Sequence, residues 1–303
     1  MNVVPALAVA LDRVAGEPPA HLHPVVGMGR YCAWAGTRLL RVTSPRRQVV
    51  AGGVATTIGA VGAGVAAAVL QRCLSRLPLP LACAAEAAAL STLLSARMLE
   101  REVQGVGAAL GRRDTDEHAA VAMGRRAVSG LVSRDVTSLD AGEVRDAALE
   151  SLAENASDAI VAPLWWYALA GLPAAAAYRF VNTADAMWGY RNTPWEWRGK
   201  AAARADDLAS WWPARLTALL LAPRAGIARI ARTAGVTASP NAGWPMGALA
   251  LRLGVRLRKS GAYTLHPRGR STHARDVGSA IGAVRLATVA ATAGAALAAR
   301  SGS

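Results

Sequence analysis

Two stretches of about twenty residues without a charged side chain constrain the fold of this chain most strongly. They are residues 49–70 and 159–178, and a helix needs about 20 apolar residues to cross the hydrocarbon core of a bilayer. Residues 77–96 form a third candidate span, in which Glu86 is the only charged residue. Weaker candidate spans are 208–222, 277–299 and 2–11. The sequence therefore predicts an all-α, polytopic integral-membrane protein.

Composition and charge support this prediction. Charged residues make up 18% of the 303 residues, against about 25% in soluble globular domains. A soluble, alanine-rich helical protein is the alternative, because alanine is only weakly membrane-seeking. The net charge of +14 comes from Lys and Arg scattered singly and in pairs, without a nucleic-acid-binding module, so we expect no nucleic-acid partner. The positive-inside bias of membrane proteins explains the charge better. We predict one membrane-embedded domain over residues 1–303, with 97–150 as a hydrophilic, cytoplasmic segment.

The sequence Gly171-Leu172-Pro173 interrupts the span at 159–178. A straight span would leave the polar groups at 150–158 and 182–192 on opposite sides of the membrane. Asp158 lies 14 residues before Leu172 and Asp185 lies 13 residues after it. At about 1.5 Å per residue, both lie roughly 20 Å from a turn at 171–173. We therefore predict a re-entrant or hairpin helix pair around residues 141–190 that brings the two polar groups together.

Glu150, Glu154 and Asp158 repeat at every fourth residue, so they share one face of a helix. Like charges at this spacing destabilise a helix by a few tenths of a kcal/mol per pair. A divalent cation, arginine side chains or solvent must offset the repulsion. Carboxylate oxygens suit Mg²⁺, which usually takes one or two carboxylates together with substrate phosphates. A solvated acidic face is the alternative interpretation.

A second polar cluster follows the span at 159–178. Asn182 and Asp185 lie three residues apart and share a helix face, and Arg179 and Arg191 flank them. Arginines in this position can clamp phosphate or carboxylate groups. A carboxylate that adjoins a membrane segment is a functional hypothesis by default.

A third cluster contains the adjacent residues Asp206 and Asp207, with Arg204 and Arg215 around them. Adjacent acidic residues point to different faces of a helix. We therefore expect only one of the two aspartates to serve the site.

Ordered blocks of residues along most of the chain resemble one known family. They are Asp12-Arg13, His23-Pro24-Val25, Gly29-Arg30, Arg134-Asp135, residues 150–155, Ser157-Asp158, Tyr178-Arg179, Asn182-Thr183, residues 189–192, Ala203-Arg204, Asp206-Asp207, residues 213–216 and residues 239–245. Together they are similar to the CobD/CbiB family, the adenosylcobinamide-phosphate synthases of cobalamin biosynthesis. The resemblance is densest from 134 to 245. Glu17 departs from it, because an Asp is usual at this position.

The resemblance implies a multi-pass protein of the cell membrane. Its expected reaction is an ATP-dependent amide ligation of (R)-1-aminopropan-2-ol, or its phosphate, to a propionate carboxylate of adenosylcobyric acid. ATP and Mg²⁺ would then be co-substrate and ion, with no tightly bound cofactor. Besides the corrinoid, the amine and the bilayer, partners would be other cobalamin-assembly enzymes or a second copy of the chain. A non-catalytic scaffold or sensor, or a corrinoid transporter of related sequence, are the alternative functions.

The clusters and the resemblance together give three sets of candidate site residues. The candidate catalytic residues are Glu154, Asp158, Asp185 and Asp206. The candidate metal ligands are Glu150, Glu154, Asp158 and Asp185. The candidate substrate-binding residues are His23, Arg30, Asn155, Arg179, Asn182, Tyr190, Arg191, Asn192, Arg204, Arg215 and Asn241.

Overall fold

A computed structural model describes residues 2–111 and 116–299 of the chain, and helices dominate it. The helices are α1 (Val4–Ala15), α2 (Pro24–Leu39), α3 (Pro45–Leu74), α4 (Leu79–Ser91), α5 (Ala96–Leu110), α6 (Glu117–Val128), α7 (Ala141–Ala156), α8 (Ala162–Trp188), α9 (Lys200–Ala209), α10 (Trp211–Leu221), α11 (Ile227–Ala234), α12 (Gly243–Leu253) and α13 (Ala274–Ala298). The all-α prediction is confirmed. The sequence did not predict the short antiparallel pair β1 (Leu257–Lys259) and β2 (Tyr263–Leu265), because three residues are too few to show alternation.

Within the described residues, four helical segments are long and apolar enough to cross a membrane. They are Pro45–Leu74, Leu79–Leu110, Ala141–Trp188 and Ala274–Ala298. They contain most or all of the predicted spans at 49–70, 77–96, 159–178 and 277–299, so the prediction of a multi-pass membrane protein is confirmed. The weaker candidates at 2–11 and 208–222 are wrong as spans. Their helices, α1 and α10, have 12 and 11 residues and are too short to cross a bilayer.

One face of α3 matches the thickness of a bilayer. Six exposed side chains follow each other at intervals of three or four residues, which places them on one face: Val50, Val54, Ile58, Val61, Val65 and Val69. From the first to the last is roughly 28 Å at 1.5 Å per residue, close to the hydrocarbon core of about 30 Å. Gly52, Thr56 and Gly59 are buried on another side of α3. Small residues let helix backbones approach closely in a membrane, which explains the many glycines of this span.

The chain divides into two compact units, each built from segments that are distant in the sequence. Unit 1 comprises Met1–Ser95, Asp158–Ser210 and Ala291–Ser303, and unit 2 comprises Ala96–Ser157 and Trp211–Ala290. The prediction of a single membrane-embedded domain and that of a cytoplasmic segment at 97–150 stay predictions. Residues 112–115 of that segment lie outside the described residues.

Helix α8 folds back on itself within unit 1. Its backbone leaves the helical conformation at Ala170 and Gly171, and Gly171 has a φ of 72°, a left-handed conformation that favours glycine. The rings of Trp166 and Tyr178 are 6.5 Å apart. In a straight helix, the 12 residues between them would separate them by roughly 18 Å. The predicted hairpin is therefore confirmed, with its turn at 170–171.

A short π-helix, Ser157–Val161, lies between α7 and α8. The sequence predicted an ordinary helix here, because nothing in this run of residues distinguishes the two helix types. A π-helix adds one residue to the turn and occurs frequently at functional sites. Helix α7 begins with a reciprocal capping box formed by Asp140 and Glu143.

Candidate functional site

The first group of polar side chains lies in unit 1, and we call it the Arg179 cluster: Asp158, Tyr178, Arg179, Asn182 and Asp206. Arg179 Nη1 donates a hydrogen bond to Asn182 Oδ1 at 2.9 Å, and Asn182 Nδ2 donates to Asp206 Oδ1 at 3.3 Å. Asp158 and Asp206 both interact electrostatically with Tyr178 and Arg179. The structure thus brings together four predicted site residues from the first arm of the hairpin, from its second arm and from α9.

Tyr178 connects the hairpin to the end of α9. Its hydroxyl and that of the buried Ser210 are 3.2 Å apart and share a hydrogen bond. The Trp166 ring stacks on Tyr178, and Trp166 Nε1 donates to the carbonyl oxygen of Ala209 at 3.1 Å. These contacts hold the end of α9 against the hairpin, which fixes the position of Asp206 relative to Arg179.

The loop before α2 also reaches the Arg179 cluster. His23 Nδ1 accepts a hydrogen bond from the Val25 amide at 3.2 Å, so His23 caps α2. This bond leaves the ring hydrogen on Nε2, which lies 3.5 Å from Glu17 Oε2. Glu17 in turn interacts electrostatically with Arg179. The predicted binding residue His23 therefore acts on the cluster through Glu17, which the sequence marked only as a departure from the family pattern.

Asp185 lies on the second arm of the hairpin and interacts electrostatically with Asp207. Asp207 Oδ2 is 3.8 Å from Arg204 Nη1, and Arg191 also acts on it. Burial raises the pKa of Asp207, and these two arginines lower it. Although their side chains point about 100° apart on α9, both aspartates of α9 reach α8. Asp206 accepts a hydrogen bond from Asn182, and Asp207 interacts electrostatically with Asp185. The expectation that only one of them serves the site stays a prediction.

Gly189 ends α8 next to Asp185. A Cβ at this position would lie 1.9 Å from Asp185 Oδ1 and 2.7 Å from the Asp185 carbonyl oxygen, so any larger residue would force Asp185 to shift. The Gly189 amide donates to the Asp185 carbonyl oxygen at 2.6 Å. Five predicted binding residues have exposed side chains in unit 1: Arg30, Tyr190, Arg191, Asn192 and Arg204.

A second group of polar side chains lies in unit 2, and we call it the Glu150 cluster: Arg134, Glu150, Glu154 and Tyr263. Arg134 Nη2 is 3.5 Å from Glu150 Oε2, and both side chains are largely buried. Burial raises the pKa of Tyr263, and the charges of Glu150 and Glu154 raise it further. An arginine thus offsets the repulsion on the predicted acidic face at Glu150, as Arg179 does at Asp158.

Three atoms of this cluster are buried without a hydrogen-bond partner among the described residues. They are Glu150 Oε1, Arg134 Nε and Arg134 Nη2. A buried polar atom without a partner costs about 1–3 kcal/mol, and such groups in a folded protein call for an explanation.

Helix α7 holds the β-hairpin that carries Tyr263. Asp146 Oδ1 accepts a hydrogen bond from Thr272 Oγ1 at 2.7 Å, and Asp146 Oδ2 accepts one from the Arg258 amide at 3.1 Å. Glu143 accepts hydrogen bonds from Ser260 Oγ and from Arg258 Nη2. Sequence analysis missed Tyr263 as a site residue, because its neighbours in the cluster are more than a hundred residues away.

Arg215 and Asn241, two further predicted binding residues, contact each other in unit 2. Arg215 Nη1 donates to Asn241 Oδ1 at 2.9 Å. Its guanidinium lies 4.0 Å from the ring centre of Trp211 and 4.6 Å from that of Trp244, within range of cation–π attraction. Asn155 Nδ2 donates to Ser151 O and Oγ at 3.0 and 3.1 Å. These contacts within unit 2 hold all three predicted side chains in place.

The predicted metal ligands are divided between the units: Glu150 and Glu154 belong to unit 2, and Asp158 and Asp185 belong to unit 1. Across residues 2–111 and 116–299, no group of three or more His, Cys, Asp or Glu side chains is arranged to hold a metal ion. Mg²⁺ usually takes only one or two carboxylates from a protein, together with substrate phosphates. The Mg²⁺ assignment therefore stays a prediction.

An apolar groove of about 680 Å³ lies in unit 1 beside the Arg179 cluster. Its lining includes Leu22 and Pro24, the two neighbours of His23, and Phe180, which follows Arg179 in the sequence. Glycine and alanine residues of α3 form one wall: Gly59, Gly62, Ala63, Ala66 and Ala67. The groove has the volume of an ordinary small-molecule site, about 300–1,000 Å³.

Comparison with known proteins gives one consistent result. The sequence model described as "CobD/Cbib protein" matches residues 5–290. "Cobalamin biosynthesis protein CobD" of Brucella suis is 37% identical over 92% of this chain and 91% of its own length. "Probable cobalamin biosynthesis protein CobD" of Pyrococcus furiosus is 36% identical over 87% of both chains. No solved structure matches. This chain belongs to the CobD/CbiB family.

Proposed function

We propose that this protein acts in cobalamin biosynthesis as a ligase of the cytoplasmic membrane. In this proposal it joins (R)-1-aminopropan-2-ol, or its phosphate, to a propionate carboxylate of adenosylcobyric acid and consumes ATP. Family membership and the names of the relatives support the pathway. The Arg179 cluster is the observation that carries the reaction, because it sets an arginine, an asparagine and two carboxylates beside a membrane hairpin.

A carboxylate and an amine do not form an amide at neutral pH, because the carboxylate has no leaving group. In the proposed reaction the carboxylate oxygen attacks the γ-phosphorus of ATP and releases ADP. The amine nitrogen then attacks the carbonyl carbon of the acyl phosphate, phosphate leaves with its oxygen, and the nitrogen loses a proton. The product is heavier than the corrinoid by the amine minus water.

The residues of the Arg179 cluster fit this chemistry. Arg179 Nε is buried and has no hydrogen-bond partner among the described residues, so this donor is available to a phosphoryl or carboxylate oxygen. Asp158 and Asp206 are the candidates to accept the proton of the amine. Two carboxylates are also the number that Mg²⁺ commonly takes, and a bound Mg²⁺ would neutralise phosphoryl charge. Asn182 fixes the positions of the Arg179 and Asp206 side chains relative to each other through its two hydrogen bonds.

Mass spectrometry on the detergent-purified protein tests the function. Adenosylcobyric acid, Mg-ATP and each of the two amines are supplied, and a product of the expected mass should form only with ATP. Arg179→Gln should reduce the rate by about 100-fold or more, the usual effect of losing a group that stabilises transition-state charge. Absence of product with both amines, from protein shown to be folded, would reject the ligase. Uptake of the corrinoid into liposomes that carry this inactive protein would then indicate transport.

We also propose that the apolar groove receives the corrin macrocycle. Gly62 lines the groove, and a Cβ added there meets no atom within 4 Å, so Gly62→Phe should fill the groove without disturbing α3. We expect the KM for the corrinoid to rise about tenfold or more, with the KM for ATP unchanged. Val61→Phe is the matched control, because Val61 is exposed and does not line the groove. Equal KM values in the two variants would place the macrocycle elsewhere.

A further inference from the structure

In the Glu150 cluster, two nitrogen atoms of Arg134 and one oxygen atom of Glu150 are buried without a hydrogen-bond partner among the described residues. Glu150 Oε1 has no hydrogen-bond partner among the described residues, and the Glu150 side chain is only 7% exposed. Arg134 Nε and Nη2 are buried and equally unmatched within those residues. The 3.5 Å approach of Arg134 Nη2 to Glu150 Oε2 lacks the geometry of a hydrogen bond. The two opposite charges therefore compensate each other only in part.

A buried ion pair with unmet hydrogen bonds is unfavourable by itself, because the Coulomb attraction repays the desolvation only when the remaining donors and acceptors are satisfied. A ligand would complete this cluster if it offered an acceptor to Arg134 and a donor to Glu150. A phosphate ester accepts hydrogen bonds from arginine in a planar, two-point geometry. An ammonium group donates hydrogen bonds and carries the charge that Glu150 and the nearby Glu154 attract.

We propose that the Glu150 cluster is the docking site for a small zwitterion with a phosphate and an ammonium group, with Arg134 binding the phosphate and Glu150 the ammonium. The choice of (R)-1-aminopropan-2-ol phosphate as this zwitterion rests on the proposed function. Tyr263 shares a side-chain hydrogen bond with Glu150 and interacts electrostatically with Glu154, so its hydroxyl lies beside the place of the ammonium, and Glu150 Oε1 is the acceptor left for it. Arg134 is 16% exposed, so the cluster reaches the surface of unit 2.

The site should distinguish the zwitterion from compounds that carry only one of its two charged groups. Free aminopropanol offers the ammonium but leaves Arg134 unmatched. Isopropyl phosphate offers the phosphate but leaves Glu150 unmatched. Each loses hydrogen bonds to a charged group, which are among the strongest in proteins, so each should bind at least about tenfold more weakly than the zwitterion.

Calorimetric titration of the wild-type full chain in detergent, without ATP or corrinoid, gives the first test. (R)-1-aminopropan-2-ol phosphate, free aminopropanol and isopropyl phosphate are titrated separately. Binding of the zwitterion at least tenfold tighter than the other two supports the site. Equal binding of all three compounds, or no binding of the zwitterion, overturns it. Because this test uses only the wild-type protein, no variant needs to fold.

The second test uses Arg134→Gln and Glu150→Gln. Each should weaken binding of the zwitterion about tenfold or more, and Arg134→Gln should leave the affinity for free aminopropanol within about twofold. Arg285→Gln is the matched control, because Arg285 also pairs with a largely buried glutamate of unit 2, Glu100 at 2.8 Å, but lies outside the cluster and outside the β-hairpin that carries Tyr263. Unchanged affinity in both cluster variants, or equal loss in the control, overturns the proposal.

The two proposals fail in different ways. Selective binding of the zwitterion by a protein that forms no amide would reject the ligase and retain the site. Amide formation with an unchanged KM for the phosphorylated amine in Arg134→Gln and Glu150→Gln would retain the ligase and reject the site.

Discussion

Gly59→Ala should show how far the activity depends on the packing of the hairpin. A Cβ at residue 59 would lie 1.8 Å from Phe180 Cζ and 2.4 Å from both Cε atoms. Carbon atoms pack at about 3.5–4.0 Å, so the Phe180 ring must retreat by roughly 2 Å. Phe180 is 2% exposed and lies edge-on to Tyr31 at 5.5 Å, which leaves the ring little room to move. The second arm of the hairpin must shift instead.

This shift should lower both the free energy of unfolding and the rate of amide formation. Forcing an extra carbon into a packed core costs typically about 1–3 kcal/mol, which exceeds the gain of up to about 1 kcal/mol from replacing glycine by alanine in a helix. We therefore expect the free energy of unfolding to fall. Arg179 precedes Phe180 in the chain, and a misplacement of about 1 Å in a catalytic group costs on the order of 100-fold in rate. Thermal unfolding in detergent and the amide-forming assay measure the two effects.

Gly62→Ala is the matched control, because the added Cβ meets no atom within 4 Å. It should be neutral or stabilising by up to about 1 kcal/mol. Combining Gly59→Ala with Phe180→Leu should reduce the cost of the alanine, since the shorter side chain leaves space for its Cβ. Wild-type stability and activity in Gly59→Ala, or an undiminished cost in the Phe180→Leu background, would refute the reasoning.

Three further substitutions probe the polar end of the hairpin. Gly189→Ala should lower activity by about tenfold or more, because its Cβ would meet Asp185 Oδ1 at 1.9 Å; full activity would show that Asp185 can move without loss. Asp206→Asn should lower the rate of amide formation by about tenfold or more, whereas Asp207→Asn should stay within about threefold, and equal losses would contradict this ranking. Burial raises the pKa of Asp207, so its ionisation as the pH rises opposes folding. Unfolding of Asp207→Asn between pH 4 and 7 should accordingly show less loss of stability than the wild type.

The spans and the hairpin could be predicted because the bilayer imposes a simple requirement. An uncharged run such as 49–70 has few stable alternatives to a membrane helix. Gly171 and Pro173 marked the turn, since glycine permits the left-handed backbone and proline lacks an amide hydrogen. The hairpin predicted that Asp158 would meet polar groups of the second arm, and Asp158 interacts there with Arg179; the predicted pairing of Asp158 with Asp185 stays a prediction.

The remaining site residues depended on contacts that leave no local pattern. Tyr263 reaches Glu150 only because α7 holds the β-hairpin through Asp146. Ser210 receives its role from the packing of α9 on the hairpin. The π-helix at Ser157–Val161 was hidden for a different reason, since the same residue types form an α-helix and a π-helix.

The turn at Ala170 and Gly171 also decides which part of the chain the membrane-insertion machinery must move across the bilayer. A straight span would require translocation of residues 189–273. Its part from 208 onward contains no acidic residue and carries 10 Lys and Arg. Each positive charge moved outward against a potential of 100 mV costs about 2.3 kcal/mol. A segment that folds back returns the chain to the leaflet it left, so we expect this basic stretch to stay on one side of the membrane during insertion.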